Sequence, residues 1–383
     1  MTNSHNALKI SSARLGAFRL DFIMDIAHSL ASRSSTENVF VVVESESGMK
    51  GYGECVPRAY VTGETPESVI ESLRHLIPVL TGEYFTTPDG VVEALENLSI
   101  SPVGSENPAA LCAAELAILD LAGKHWNKSV SEILGFTISS EPLFYSLVVP
   151  FLRGKALEKF LEHAAPFDFR HVKVKVSAEN PADHVRRIKS LLGSGPEIRV
   201  DANCSWSLEN APGFMREMAD LDVASIEQPL PPYDFESMAS IRTPGVPLIT
   251  LDESVKTISD VEHVAAAGAC DVVNIRISKC GGILGAVRVA EAARKHGLEV
   301  QLGAHVGESC VLSAAGVHLA SGTRSFRWLE GCFGKHLLRD DLCEEDFRFG
   351  FEGRVFPLKG PGFGIAVSEE RLKAATVSCE EVR

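Results

Sequence analysis

Long apolar runs are missing from this 383-residue chain. No stretch approaches the roughly 18 apolar residues that a membrane-spanning helix needs, so no membrane span is expected. Residues 1–10 (MTNSHNALKI) lack a basic segment followed by an apolar one, so no signal peptide is expected. An excess of positive charge is missing too. Lysine and arginine number 37 against 51 acidic residues, a net charge of −14. That balance disfavours nucleic acid or an anionic membrane as the main partner. It leaves substrate charge open, because a local group of lysines can oppose the global sign. The nine cysteines include no CxxC pair. Odd in number and scattered, they argue against a disulfide framework or zinc knuckle and for a reducing, cytoplasmic setting. Low-complexity tracts and sequence-level repeats are absent. What remains is an ordinary globular composition, 45% apolar and 23% charged, with chain enough for roughly two domains.

Residues 1–135 read as an α+β unit. LKISSARLGAFRLDF and NVFVVVESESGMKGYGEC are β-rich, with Gly48, Gly51 and Gly53 at an expected hairpin turn. The polar segment DIAHSLASRSSTEN between them is expected to be a loop. Thr65-Pro66 and Thr87-Pro88 each supply an N-cap followed by proline at the first helical position. NPAALCAAELAILDLAGKHW is the strongest helical pattern in the chain.

From residue 136 to 337 the pattern alternates between strand and helix. PLFYSLVVP, HVKVKV, EIRVDAN, DVASIEQ, VPLITLDE, DVVNIRI, LEVQLGA and SFRWLEG read as eight strands, with amphipathic segments between them. An acid or amine stands at or just past the end of five of them. Lys175, Asp201, Glu227, Asp252 and Lys279 follow one another at steps of 26, 26, 25 and 27 residues. One functional side chain at the C-terminal end of each strand brings all five to one mouth of a barrel. Residues 338–383 do not form another β/α unit. GRVFPLKGPGFGIAV is expected to return to the first domain, which would cover the mouth.

Alternation along strand three puts Arg199, Asp201 and Asn203 on one face. Asp201, Glu227 and Asp252 then crowd one mouth, and three carboxylates there repel unless protonated or bound to a cation. Mg²⁺, or Mn²⁺, suits such an all-oxygen site. The alternative is three unrelated acids in βα loops, which is weaker for three in register. Lys173 and Lys175 share a face of strand two. Two close ammonium groups depress each other's pKa, which would ready one as a base. Lys279, on strand six, would act from the opposite side. Together these parts suggest that a lysine takes the α-proton of a metal-bound small-molecule carboxylate, and that charge on the resulting enediolate is stabilised electrostatically.

The order KxK (Lys173, Lys175), DAN (Asp201), EQP (Glu227), DES (Asp252) and SKCGG (Lys279) resembles the muconate lactonizing enzyme subgroup of the enolase superfamily. GYGEC, AELAILDLAGK and PGFGIAV extend the resemblance to nearly the whole chain. It implies a modified TIM barrel, (β/α)7β, with an α+β capping domain completed by the C-terminal segment. It implies Mg²⁺ on Asp201, Glu227 and Asp252, Lys175 and Lys279 as the acid/base pair, and Lys173 assisting electrostatically. The expected activity is that of an epimerase, racemase or cycloisomerase, with β-elimination of the succinylbenzoate synthase kind as the alternative. A Schiff-base lysine aldolase would leave the three carboxylates unexplained, and a non-catalytic member would have lost ligands or lysines. Dipeptide epimerases of this subgroup carry an Asp-x-Asp on the eighth strand. WLEGCFGKHLL has Glu330 and no such pair, which counts against dipeptide epimerisation, while FGKHLL is similar to muconate cycloisomerases. Arg58, Tyr60, His305, Glu308 and Glu330 are further candidates for substrate contact. Barrels of this type often assemble, so a homo-oligomer is expected.

Overall fold

Two sheets organise the chain in a computed structural model that describes residues 7–28, 31–193 and 195–382. In the first, β1 (Leu8–His28) pairs antiparallel with β2 (Ala31–Ser45), and β3 (Lys50–Cys55) adds to β2. The segment expected to be a loop is therefore mostly strand. Leu20 pairs with Thr36, Asp21 with Ser35 and Ile26 with Arg33. Its small polar residues are poor strand formers alone, but a cross-strand partner overrides that preference. Residues 29 and 30 lie outside the described residues.

Four helices and a short strand follow: α1 (Pro66–Leu80), β4 (Tyr84–Phe85), α2 (Pro88–Ile100), α3 (Pro102–Glu106) and α4 (Pro108–Trp126). Thr65 and Thr87 cap α1 and α2 as expected, accepting from the N–H of Ser68 and Gly90. Of the three glycines assigned to the turn, only Gly48 lies there, at φ +79°. Gly51 and Gly53 sit inside β3, where α4 lies flat against the strand. A Cβ at Gly53 would stand 2.0 Å from the carbonyl oxygen of Ala113, and one at Gly51 2.1 Å from that of Ala117. Gly53→Ala should therefore destabilise the protein by about 1–3 kcal/mol through overpacking. Urea unfolding would check this, and a variant as stable as wild type would refute the close approach.

After α5 (Val130–Ile133) and β5 (Leu143–Phe144) the barrel begins. Its strands are β6 (Leu147–Val149), β7 (His171–Lys175), β8 (Glu197–Asp201), β9 (Val223–Glu227), β10 (Leu248–Leu251), β11 (Val272–Ile275), β12 (Glu299–Leu302) and β13 (Phe326–Leu329). They pair in sequence order, all parallel, and a Tyr145–Leu329 bridge joins the two edges. Helices α6 (Gly154–Ala164), α7 (Pro181–Leu192), α8 (Ala211–Asp220), α9 (Phe235–Ile241), α10 (Ile258–Ala267), α11 (Ile283–Lys295) and α12 (Cys310–Thr323) follow the first seven strands. Among the described residues no α-helix lies between β13 and the next strand, which begins at Arg354, so the architecture is (β/α)7β. The expected first strand PLFYSLVVP is split in two. Its Leu143–Phe144 part pairs instead with β14 (Arg354–Val355). Beyond α13 (Glu369–Ala375), β15 (Thr376–Val382) pairs antiparallel with β1, so the chain's end completes the first sheet.

Buried carboxylates lock the two units together. Glu54, at the end of β3, accepts from Ser309 N at 3.0 Å, Ser309 Oγ at 2.6 Å and Leu312 N at 3.1 Å, at the N-terminus of α12. Glu115, on α4, accepts from Ile283 N at 2.5 Å and Leu284 N at 3.2 Å, at the N-terminus of α11. Both satisfy N–H groups that a helix leaves unpaired. Burial nevertheless outweighs these hydrogen bonds and pushes the carboxyls up to about 7 for Glu54 and about 8 for Glu115. A raised carboxyl binds its proton more tightly when folded. Its contribution is therefore fully present below the unfolded value of 4.5 and is lost as pH rises to about 8. Stability should fall across that window. Glu115→Gln should flatten the fall, and an unchanged pH profile would show that Glu115 is not protonated in the native state.

One finding departs from the cysteine reading. Cys310 and Cys343, 33 residues apart, form a disulfide, while the other seven cysteines are free. Asp341 brings the pair together by accepting from the N–H of Cys310 at 3.0 Å and of Leu342 at 2.7 Å. No sequence motif marks such a pair, because it depends on the tail's return path. No described helix is long and apolar enough to cross a membrane.

Candidate active site

The barrel mouth is built by register. Lys175 pairs with Asp201 and Asp201 with Glu227 across β7, β8 and β9, and Glu227 pairs with Thr250 of β10, two residues before Asp252. The three acids are therefore neighbours on one buried face. Lys175 Nζ donates to Asp201 Oδ2 at 3.0 Å and Asn203 Oδ1 at 2.7 Å. Lys279 follows β11, on a turn rather than on the strand. Its Nζ donates to Asp252 Oδ1, Asp252 O and Asn274 O, each at 2.8 Å. One lysine thus stands at each end of the carboxylate row.

Lys173 lies behind the row. Its Nζ is 2.6 Å from Glu330 Oε2, 3.3 Å from Glu227 Oε1 and 3.7 Å from Asp201 Oδ2. This corrects the expectation that it is depressed. Burial does lower it, but Glu227, Glu330 and Asp201 outweigh burial, and the ammonium is raised above its ordinary value. Burial pushes Glu227 up to about 7 despite Lys173, with Asp201 adding to the rise. Burial acts on Asp252 too, yet Arg276 and Lys279 hold it at about 2. Asp201 is also lowered, because Lys175 and Lys173 overcome its burial.

Beneath the row lies a second polar layer. Glu227 accepts from Asn274 Nδ2 at 3.0 Å and Gln301 Nε2 at 2.7 Å. Gln301 in turn accepts from Arg199 at 2.5 Å, and Arg199 lies 3.1 Å from Glu330. Above it opens a small cavity. Lys175, Asn203, Glu253, Arg276 and Phe333 line it from the barrel, and Tyr60 from the capping domain.

The other candidates occupy varied places. Tyr60 is exposed, at 42%, on the cavity wall. Arg58 is buried. It donates to Thr36 Oγ1 at 2.7 Å and Pro57 O at 2.8 Å within its own unit, and to Val306 O of the barrel at 3.0 Å. Glu308 accepts from His305 N at 2.7 Å and is pushed up to about 8 by burial. It lines a separate, roughly water-sized inner cavity, with Glu330 on the same wall. His305 is buried with neither ring nitrogen hydrogen-bonded. Burial, with Arg276, Arg58 and Lys279 nearby, holds it well below the usual imidazole value.

Comparison with known proteins supplies the family. The profile of the mandelate racemase / muconate lactonizing enzyme N-terminal domain matches residues 20–135, and that of the enolase C-terminal domain-like family matches residues 155–371. The chain belongs to the enolase superfamily. Within it, the chain falls in the mandelate racemase/muconate lactonizing enzyme group. It is 30% identical to an N-succinyl-L-Arg/Lys racemase of Bacillus cereus, over 98% of this chain and 100% of the relative. A crystal structure of N-succinyl Arg/Lys racemase from that species superposes with a TM-score of 0.88, at 28% identity, over 98% of this chain and 100% of that one. Muconate cycloisomerase 1 of Rhodococcus opacus is 29% identical, over 93% of this chain and 96% of the relative. A dipeptide epimerase from Cytophaga hutchinsonii, solved with Mg and D-Ala-L-Val, shares the fold. Its TM-score is 0.87, at 22% identity, over 98% of this chain and 100% of that one. The chain is an enolase-superfamily enzyme whose relatives are named racemase, epimerase and cycloisomerase.

Sequence patterning alone does not mark the polar layer under the mouth. Asn274 and Gln301 in that layer, and Arg276 on the cavity wall, stand in no motif, and Arg199 reads only as a face-mate of Asp201. Their signal is a polar residue at the alternate position of an apolar strand, as in VVNIRIS and EVQLGA. Glu253 is inconspicuous beside Asp252 in the DES triplet.

Proposed function

We propose that this enzyme interconverts configurations, or rearranges a bond, at the α-carbon of a small carboxylate, using Lys175 and Lys279 as paired acid and base. The observation that carries this is the buried carboxylate row with one lysine at each end. Lys175 removes the α-proton of one substrate hand and Lys279 that of the other; whichever is not the base returns a proton. Lys173, kept charged by Glu227 and Glu330, adds fixed positive potential where carboxylate charge builds up.

Asp201, Glu227 and Asp252 offer only carboxylate oxygen, from adjacent strands, in a pocket that must be neutralised. That donor set fits a hard divalent ion, Mg²⁺ or in its place Mn²⁺. Among the described residues no three such groups already close on one point, because Lys173, Lys175, Lys279 and Arg276 hold their oxygens. When bound, the ion supplies Lewis-acid stabilisation of charge on the substrate carboxylate.

The test is deuterium exchange by NMR in D₂O with Mg²⁺, across N-acyl amino acids, dipeptides, proline derivatives and muconate-like diacids. Deuterium at an α-carbon, lost with EDTA, is the expected result. Loss of a substrate without label would favour elimination or cycloisomerisation. No Mg²⁺-dependent change in any compound would remove the reading.

A further inference from the structure

Asp201, Glu227 and Asp252 are not held alike. Asp201 and Glu227 are the last residues of β8 and β9 and pair with each other in the strand register. Asp252 lies one residue past β10, whose pairing ends at Thr250 toward β9 and at Leu251 toward β11. The ladder therefore does not fix its backbone. Asp252 is fully buried, and a buried N–H needs an acceptor. That acceptor is a side chain. Gln228 Oε1 accepts from Asp252 N at 3.1 Å and from Ser254 N at 3.3 Å. Gln228 Nε2 donates to Leu230 O at 3.1 Å and to Ser254 Oγ at 2.9 Å. Both donors and both lone pairs of the amide are used, and the two backbone N–H groups fix which end is oxygen.

The backbone of Gln228 is tied as tightly as its side chain. Its N–H donates to Thr250 O and its carbonyl accepts from Cys204 N, each at 2.8 Å. Its φ is +37°, a left-handed conformation that a residue with a Cβ rarely adopts. Asn203 and Cys204, just past β8, share that conformation at +43° and +60°. Such backbone persists only where its surroundings over-determine it, and here it lies directly after two of the three acids. One residue thus joins the turns after β8, β9 and β10. We infer that Gln228 is the positioning residue for Asp252, setting the third acid against the two that the sheet fixes and so preforming the site for a divalent ion. Asp252 O and Oδ1 are two of the three acceptors of Lys279, each at 2.8 Å, so the same amide places that lysine as well. The inference rests on the divalent ion of the proposed function, and Gln228 acts through Asp252.

Mn²⁺ alone is the probe. Calorimetric titration of the full chain, at a temperature where circular dichroism shows each protein folded, should give Gln228→Met about 10–100-fold weaker binding than wild type, the usual effect of removing a group that orients a metal ligand. Ser254→Ala is the control for a merely structural role. It removes an acceptor of the same amide but leaves the bond from Asp252 N to Gln228 Oε1. It should lower stability and leave Mn²⁺ affinity close to wild type. Amide exchange in wild type needs no variant, and so decides the matter should Gln228→Met not fold. The Asp252 N–H should exchange as slowly as those of the paired strands, although it lies beyond them. Undiminished Mn²⁺ binding by Gln228→Met, a loss in Ser254→Ala as large as in Gln228→Met, or a fast-exchanging Asp252 amide would each overturn the assignment. No Mn²⁺ binding by wild type would remove the divalent-ion reading and this one with it. Binding by wild type and Gln228→Met alike would remove this one alone.

Discussion

Lys279→Ala should lower kcat by about 10³-fold, within the range of roughly 10²–10⁴ that a positioned acid or base supplies. The amine is buried and held by three acceptors at 2.8 Å, so nothing nearby can move into its place. Asp252 would keep Arg276 as a counter-ion, so loss of activity should exceed loss of stability. Lys175→Ala should cost a similar factor. The informative comparison is between substrate hands. With one lysine gone, the other can still remove the proton it faces. Each single variant should therefore exchange the α-proton of one enantiomer into D₂O without racemising it, and the two variants should choose opposite enantiomers. NMR on separated enantiomers reads this directly. Exchange of both hands by either variant would mean that one group serves both faces. Borohydride trapping of a substrate on Lys175 or Lys279 would instead favour imine chemistry.

Those two lysines were legible because strand alternation and a constant β/α step dictate where a side chain at a strand's end must point. The same rule located Asp201, Glu227 and Asp252. It failed where position depends on a partner distant in sequence. The strand pairing of residues 33–36 with β1 comes from the hairpin partner, since Ser34 and Ser35 lack the β-branched or aromatic side chains that favour a strand. Gly51 and Gly53 look like turn residues, but α4, about 60 residues later, is what excludes a side chain there. The sign of the Lys173 shift is hidden in the sequence for a related reason. Lys175 is two residues away in sequence, whereas Glu330, the nearest counter-charge of Lys173 at 2.6 Å, lies 157 residues away. Nearby like charge could be read from KVK; the opposite charge that outweighs it required the closed barrel.

Arg199→Met should destabilise the protein by about 3–5 kcal/mol, the usual cost of removing one partner from a buried charge network. Arg199 is almost fully buried, donates to Gln301 Oε1 at 2.5 Å and Ser146 Oγ at 2.8 Å, and stacks 4.7 Å from the ring of Trp328. Methionine replaces much of its volume but none of its five donors. Among the described residues Glu330 would be left with Lys173 as its one close cation, and Gln301 would lose the contact that fixes its amide. That amide matters to the site: with Oε1 occupied by Arg199, Nε2 is the atom turned toward Glu227. A freed Gln301 can rotate and present oxygen to a carboxylate, so the variant should also lose activity beyond its loss of stability. Urea unfolding measures the first effect. Adding Glu330→Gln removes the orphaned charge, and the double variant should be more stable than Arg199→Met alone, with a coupling energy of about 1–3 kcal/mol. A cost below roughly 1 kcal/mol for Arg199→Met, or strict additivity of the pair, would show that water or rearrangement already screens these charges. The polar layer would then be passive filling under the mouth, and the orientation of Glu227 would have to come from Asn274 and Lys173 alone.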